Sequence, residues 1–168
     1  MKTLTSLAVL PLMAAAASAL TLDVNVGAAS PSGYDSNAIV GVGIGTQLNN
    51  EFHLGLNLSS SKYVSFGAVD ATARAASLDL TYELNGNGSI RPFIGAGVGN
   101  VWFSGASMNS KNAMTTNLFV GMSFRVSDTV DVILTERNAE VYDVQELAGG
   151  VKKSVNSWQS SAGLRFKF

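Results

Sequence analysis

The chain has 168 residues, no cysteine and a nearly balanced charge, with 11 Lys and Arg against 12 Asp and Glu. The lack of cysteine excludes disulfides, thiol catalysis and cysteine-ligated metals. The balanced charge leaves no basic field for nucleic acid, so no nucleic-acid partner is expected. One histidine and dispersed carboxylates form no cluster at ligand spacing, so we also expect no metal and no cofactor.

The first 19 residues have the pattern of a secretory signal peptide. Lys2 precedes an almost wholly apolar run from Leu4 to Ala17, and Ala17-Ser18-Ala19 has the small-residue order of a cleavage site. The run is shorter than the roughly 20 apolar residues of a membrane helix. We expect residues 1–19 to be removed and residues 20–168 to form one domain.

After the signal, apolar residues alternate with polar residues or glycine in eight segments of about ten residues, which is typical of transmembrane barrel strands. The apolar faces of the first four segments are Leu20, Leu22, Val24, Val26 and Ala28; Ala38, Val40, Val42 and Ile44; Phe52, Leu54, Leu56 and Leu58; and Ala76, Leu78, Leu80, Tyr82 and Leu84. Their predicted connections are a loop with Pro31, Gly33 and Asp35, a turn at Asn49-Asn50, a loop from Ser59 to about Thr72, and a hairpin turn at residues 85–88.

The apolar faces of the last four segments are Ile94, Ala96 and Val98; Leu118, Val120, Met122, Phe124 and Val126; Val130, Val132 and Leu134; and Ala162, Leu164, Phe166 and Phe168. Their predicted connections are a loop from Gly105 to Lys111, a turn at Ser127-Asp128 and a loop from Asn138 to Lys153. Glu136 falls in the apolar phase, and we expect it to lie beyond the hydrocarbon layer. Long and short connections alternate, which places the loops outside the cell and both termini in the periplasm.

The polar phase decides between a membrane barrel and a soluble, lipocalin-like one. Glycine, serine, threonine and asparagine dominate it, and only modest side chains fit inside a barrel of eight strands. The apolar residues of the alternation are bulkier and almost none is charged, so this face suits contact with lipid. No apolar run after the signal approaches the length of a spanning helix, and only helices and closed barrels satisfy their backbone in lipid. The sequence therefore predicts an all-β fold, an eight-stranded antiparallel up-and-down transmembrane β-barrel in a Gram-negative outer membrane.

Scattered charged residues occur in the inward phase, where an unpaired charge would be costly to bury. We predict a lumen ionic network in which the carboxylates pair with the arginines. Its members are Asp23, Asp79, Glu83, Arg125, Asp131, Arg137 and Arg165. Such a network would obstruct ion flow, so a plugged barrel is expected.

His53 is the one candidate for acid–base chemistry, since a histidine can serve as general base toward a serine. Ser59, Ser60 and Ser61 are at the far end of the same segment, roughly 20 Å away at about 3.3 Å per residue. We therefore expect His53 to form hydrogen bonds to its neighbours at the lumen rim and the protein not to be an enzyme. A lipid A-modifying enzyme remains an alternative, with a catalytic partner supplied across the barrel.

Two stretches carry a family resemblance: Arg91 to Gly99, which reads RPFIGAGVG, and the C-terminal SAGLRFKF ending in Phe168. They resemble the OmpA-like and OmpX-like outer membrane β-barrel domains of the porin-like superfamily. The resemblance implies an eight-stranded barrel without a wide pore. It also implies that Phe166 and Phe168 form the signal read by the barrel assembly machinery. The chain stops at the last strand, so wall anchoring through a peptidoglycan-binding domain is not expected.

Function must then reside in the loops, because the barrel wall is a scaffold. We expect a non-enzymatic protein that is envelope-structural or binds a partner at the cell surface. Outer membrane lipid and lipopolysaccharide are expected partners, with Lys152 and Lys153 as possible contacts to the anionic lipopolysaccharide. A small porin or channel for ions or small solutes is the main alternative.

Overall fold

The computed structural model describes residues 19–64, 70–105, 112–144 and 152–168. Its eight strands are β1 (Leu20–Pro31), β2 (Asn37–Gln47), β3 (Phe52–Val64), β4 (Asp70–Glu83), β5 (Ile90–Ser104), β6 (Asn112–Arg125), β7 (Val130–Val144) and β8 (Lys153–Lys167). Each pairs antiparallel with the next, and β8 pairs with β1, so the sheet closes into a barrel. In the described ranges no helix is long and apolar enough to cross a membrane. The predicted eight-stranded antiparallel barrel is confirmed.

The strands are staggered as they pass around the barrel. Following cross-strand partners once around from Thr21 leads back to Pro31, about ten residues further along the same strand. A stagger of this size in an eight-stranded barrel corresponds to a strand tilt of about 40° and an interior just wide enough for side chains. The lumen is therefore a packed space.

The two ends of the barrel differ. We call the end with the short connections 48–51, 84–89 and 126–129 the turn end, and the opposite end, where β1–β2, β3–β4, β5–β6 and β7–β8 are joined, the loop end. Both described chain termini lie at the turn end.

Two predicted loops are largely strand. β3 continues to Val64 and β4 begins at Asp70, so most of the stretch from Ser59 to Thr72 is paired. Likewise β7 continues to Val144 and β8 begins at Lys153, so the loop predicted from Asn138 is also mostly strand. The strands were missed because their outward side chains become polar toward the loop end while their inward side chains become apolar. The loop from Gly105 to Lys111 falls between β5 and β6, and its residues 106–111 lie outside the described residues.

The outer face is apolar, as the alternation predicted. Large apolar side chains exposed on it include Val24, Val42, Leu58, Leu80, Ile94, Leu118, Val120 and Leu164. A ring of aromatic residues surrounds the turn end, formed by Phe52, Tyr82, Phe124, Phe166 and Phe168. Trp102 and Trp158 are exposed nearer the loop end. An outward apolar belt flanked by aromatic residues is the arrangement that lipid requires of a barrel wall.

Two phenylalanines occupy the lumen in place of small side chains. The rings of Phe93 and Phe119 lie 6.3 Å apart between centroids and pack with Ile133. A Cβ atom on Gly95 would overlap the Phe119 ring, and one on Gly121 would overlap the Phe93 ring. These glycines therefore provide the space that the two rings occupy.

Candidate functional site

Three carboxylates and three basic side chains meet inside the barrel at the turn end. This basal ion cluster consists of Asp23, Glu83, Arg91, Asp131, Arg165 and Lys167. The residues come from β1, β4, β5, β7 and β8, and strand alternation turns each of them inward. The opposite charges are equal in number, so each charge removed from bulk water has a partner.

Arg165 joins two of the carboxylates. Its Nε and Nη2 donate to Asp23 Oδ1 and Oδ2, both at 2.9 Å, and its Nη1 donates to Glu83 Oε1 at 3.3 Å. A planar guanidinium matches a carboxylate in this two-bond geometry, which fixes both side chains.

Arg91 and Lys167 complete the cluster. Arg91 Nη1 lies 3.2 Å from Glu83 Oε2, while Arg91 Nη2 donates to Asp131 and, at 2.8 Å, to Ser123 Oγ. Lys167 Nζ donates to Asp131 Oδ1 at 2.9 Å. Asp131 is fully buried, with 0% of its surface exposed, so these two cations supply the stabilisation that water would otherwise give.

A second ion pair lies nearer the middle of the lumen. Arg137 Nη2 donates to Asp79 Oδ2 at 2.6 Å, and the amides of Asn57 and Asn117 donate to the same carboxylate at 2.9 and 3.4 Å. The Arg137 guanidinium carbon also lies 4.6 Å from the centroid of the Phe119 ring. This central pair is therefore held by polar and aromatic neighbours together.

The structure brings six of the seven predicted network residues into these ion pairs: Asp23, Asp79, Glu83, Asp131, Arg137 and Arg165. Arg125 is the exception, and its predicted membership is wrong. It is the exposed last residue of β6 and makes no ion pair with a described carboxylate. Although its Cα lies opposite that of Asp131, Asp131 already binds Arg91 and Lys167, and Arg125 at the strand end keeps its hydration.

Sequence reasoning missed Arg91 and Lys167. Both lie in the inward phase of their strands, Arg91 two residues before the buried Phe93 and Lys167 two residues after Arg165. Extending the alternation by one step at the turn end would have found both.

The loop end of the lumen is closed by apolar side chains. This apolar cap consists of Ala71, Ala73, Val101, Phe103, Ala113, Val141, Val144 and Val155. Tyr34 and Ala75 pack against it. Between the cap and the basal ion cluster is a cavity of about 100 Å³, lined in part by Asn57, Asp79 and Arg137. The lumen thus contains paired charges toward one end and packed apolar side chains toward the other.

His53 lies in the lumen and hydrogen-bonds to a threonine. Its Nε2 is 2.8 Å from Thr21 Oγ1, and both side chains are buried. Ser59 lies six residues further along β3, in the middle part of the strand. Over the described residues, no group of three His, Asp or Glu side chains is placed to hold a metal ion.

Comparison with known proteins gives a match at the level of fold. No family model matches the chain, and no curated protein matches it in sequence. Among solved structures, Neisserial surface protein A (NspA) superposes with a TM-score of 0.72 at 19% identity, covering 89% of this chain and 96% of that one. The outer membrane protein OprG from Pseudomonas aeruginosa gives 0.58 at 15% identity, covering 89% and 95%. Outer Membrane Protein W of E. coli gives 0.54 at 13% identity, covering 89% and 97%.

The chain has the fold of a small outer membrane β-barrel protein. The resemblance seen in the sequence is therefore confirmed for the fold, and the expected location in an outer membrane agrees with both these structures and the apolar outer face. In an outer membrane barrel the lumen is the route between the two sides of the membrane. The basal ion cluster and the apolar cap both lie within that lumen.

Proposed function

We propose that this outer membrane barrel is a non-enzymatic, non-conducting protein that acts through its loop end, as an envelope-structural or surface-binding protein. The observation that supports the proposal is that side chains pack inside the lumen at two levels, in the basal ion cluster and in the apolar cap. A barrel filled in this way serves as a rigid support. Its loop end, facing the cell exterior, would then make the contacts.

The loop end supports this role because it has an apolar core of its own. Phe103 is 7% exposed inside the apolar cap, whereas its neighbour Trp102 is 47% exposed on the outer face. Such a core holds the described strand ends in fixed positions, as the support of a binding surface requires. The connecting residues 65–69, 106–111 and 145–151 lie outside the described residues.

Lipopolysaccharide is a partner of suitable chemistry for this end. Lys152 is exposed immediately before β8, and Lys153 Nζ lies 5.6 Å from the centroid of the Tyr34 ring. Cations at the loop end suit the anionic headgroups of an outer leaflet. An extracellular ligand at the hairpins is the other proposed partner.

Export and assembly are proposed from the sequence together with the described ends. Residues 1–19 would act as the signal peptide, since β1 begins at Leu20. Phe166 and Phe168 would be read by the barrel assembly machinery. Phe168 is 74% exposed, and its amide donates to Leu20 O at 2.9 Å, so the aromatic end lies at the seam where the barrel closes.

Recording in planar lipid bilayers tests the closed lumen. The wild-type protein is expected to give no stable conductance steps, because ions meet two successive barriers. Arg165→Ala and Phe103→Ala each remove one barrier, and the double variant removes both. We expect ion leak to increase in the double variant above either single variant, which would show that the lumen is the route being blocked. Large, steady steps from the wild-type protein would favour the alternative, a small channel.

A further inference from the structure

Glu136 is a carboxylate on the outer face of β7, and the structure places it inside the apolar belt rather than beyond it. Its cross-strand partners are Val120 on β6 and Ser160 on β8, and Leu134 precedes it on the same face. Both Glu136 and Ser160 are exposed. A charged residue that faces lipid is costly and is a functional-site hypothesis in its own right.

The depth of Glu136 in the membrane follows from the pairing of β7 with β6. Val132 lies opposite Phe124, a member of the turn-end aromatic ring, and Glu136 is further along the same strand. Four residues at about 3.3 Å each, on a strand tilted by about 40°, raise Glu136 about 10 Å above Val132. The apolar band of such barrels is about 25 Å tall, so Glu136 lies near its middle. When the stagger between strands is taken into account, the outward residues at the same depth include Val42 on β2 and Leu78 on β4. Both are apolar.

Glu136 begins a band of outward polar side chains that continues toward the loop end. This β7–β8 polar strip consists of Glu136, Asn138, Glu140, Asn156 and Ser160. Ser160 Oγ donates to Glu136 Oε2 at 2.7 Å, and the amides of Asn138 and Asn156 donate to each other at 2.9 and 3.1 Å. The strip is therefore organised within one copy of the chain.

Its hydrogen-bonding capacity is only partly used. An amide carries two N–H donors, and the mutual pair uses one from Asn138 and one from Asn156. Within the described ranges, the second N–H of each amide and Oε1 of Glu136 have no hydrogen bond. Hydrogen-bond donors and an acceptor without partners thus occur together on the outer face of β7 and β8. In lipid such groups are satisfied by another chain, because water is absent.

We propose that the β7–β8 polar strip is the contact surface for a second copy of this chain, related by a two-fold axis parallel to the barrel axis. Two copies inserted in the same direction present this wall at the same depth. Asn138 lies two residues beyond Glu136, about 5 Å higher on a strand tilted by about 40°. The two side chains span this difference in depth, so the second amide N–H of Asn138 in one copy reaches the carboxylate of Glu136 in the other, and the surface is self-complementary. Ser160 and Ala162 are small, which permits close approach of the walls.

Cysteine cross-linking tests this contact, because the native chain has no cysteine. Ala162→Cys introduces a thiol on the outer face beside the strip. Ala96→Cys on β5 is the matched control, since Ala96 is also an exposed outward alanine at about the same depth on a different wall. Each full-length variant is reconstituted in lipid vesicles, oxidised and analysed on non-reducing gels. We expect several-fold more disulfide dimer from Ala162→Cys than from Ala96→Cys. Equal yields from the two variants, or no dimer from either, would overturn the proposal.

A second substitution tests the polar contact itself. Glu136→Gln keeps a carbonyl acceptor and adds an amide donor, whereas Glu136→Leu removes the polar group and suits lipid. In the Ala162→Cys background, the Gln variant should cross-link as before and the Leu variant should fall to the control level. A heat-modifiability gel establishes that both variants are folded barrels. Undiminished cross-linking in a folded Leu variant would show that the polar strip does not mediate the association.

Discussion

Arg165 holds Asp23 through two parallel hydrogen bonds of 2.9 Å each, and the two residues are direct cross-strand partners on β8 and β1. This two-bond contact of the basal ion cluster therefore lies across the seam that closes the barrel. The same side chain reaches Glu83 on β4, so one guanidinium connects opposite parts of the wall. The cluster both fills the lumen and fixes the closed form.

Replacing Arg165 with Met should destabilise the folded barrel by about 3–5 kcal/mol, because it leaves buried carboxylates without their partner. The free energy of unfolding, measured by urea titration in lipid vesicles, checks this value. Arg125→Met is the matched control. Arg125 is exposed and outside the cluster, so its loss should change stability by less than about 1 kcal/mol. Equal losses from the two variants would contradict the assignment of Arg165.

Gly95→Ala should destabilise the barrel by about 1–3 kcal/mol, since its Cβ would overlap the Phe119 ring and force it to move. Gly55→Ala is the comparison, because there the nearest atom to the added Cβ is His53 Cε1 at 3.3 Å, which needs only a small shift. Adding Phe119→Leu to Gly95→Ala should restore part of the loss. The same urea titration measures all three, and no recovery in the double variant would indicate a different cause.

Phe103→Ala should loosen the loop end while leaving the barrel inserted. Removing a buried phenylalanine from an apolar core costs about 3–5 kcal/mol, and here the cost falls on the hairpins beyond the belt. With the protein reconstituted in intact vesicles, we expect an added protease to cleave the exposed hairpins of the variant faster than those of the wild type. Trp102→Ala, one residue away and outward, should leave the cleavage rate nearly unchanged. Identical protection in both variants would argue against an apolar cap.

His53→Ala should leave the lipid A of expressing cells unchanged, because His53 faces the lumen and binds Thr21. Mass analysis of extracted lipid A is the measurement. Loss of the buried hydrogen bond should lower the stability by about 1 kcal/mol. A lipid A profile that differs between cells expressing the wild type and the variant would restore the enzymatic alternative.

The number of strands follows from the alternation, and so does the direction of each side chain. A period of two assigns each side chain either to the inside or to the outside of the barrel. Strand lengths do not follow as easily. From Ala71 to Ala75, for example, the apolar side chains turn inward and the polar ones outward, as in a water-soluble core. A search for apolar residues facing lipid therefore ends each strand at the edge of the belt.

The ion pairs were partly predictable for the same reason. Alternation tells whether a side chain points inward or outward, but not where it lies along the barrel axis. Arg125 was therefore predicted to join the lumen residues, although it is exposed at the end of its strand. Glu136 shows the same limit on the outer wall. Its depth depends on the stagger around all eight strands, which a single strand's sequence does not contain.

The polar strip makes the apolar belt unequal in height around the barrel. On β2 the outward apolar residues extend from Ile44 to Ala38, whereas on β7 they end at Leu134. A solitary copy would meet this hydrophobic mismatch by leaning within the bilayer or by thinning the lipid beside β7. Pairing through the short side would instead shield it from the acyl chains and leave the taller walls in contact with a bilayer of ordinary thickness.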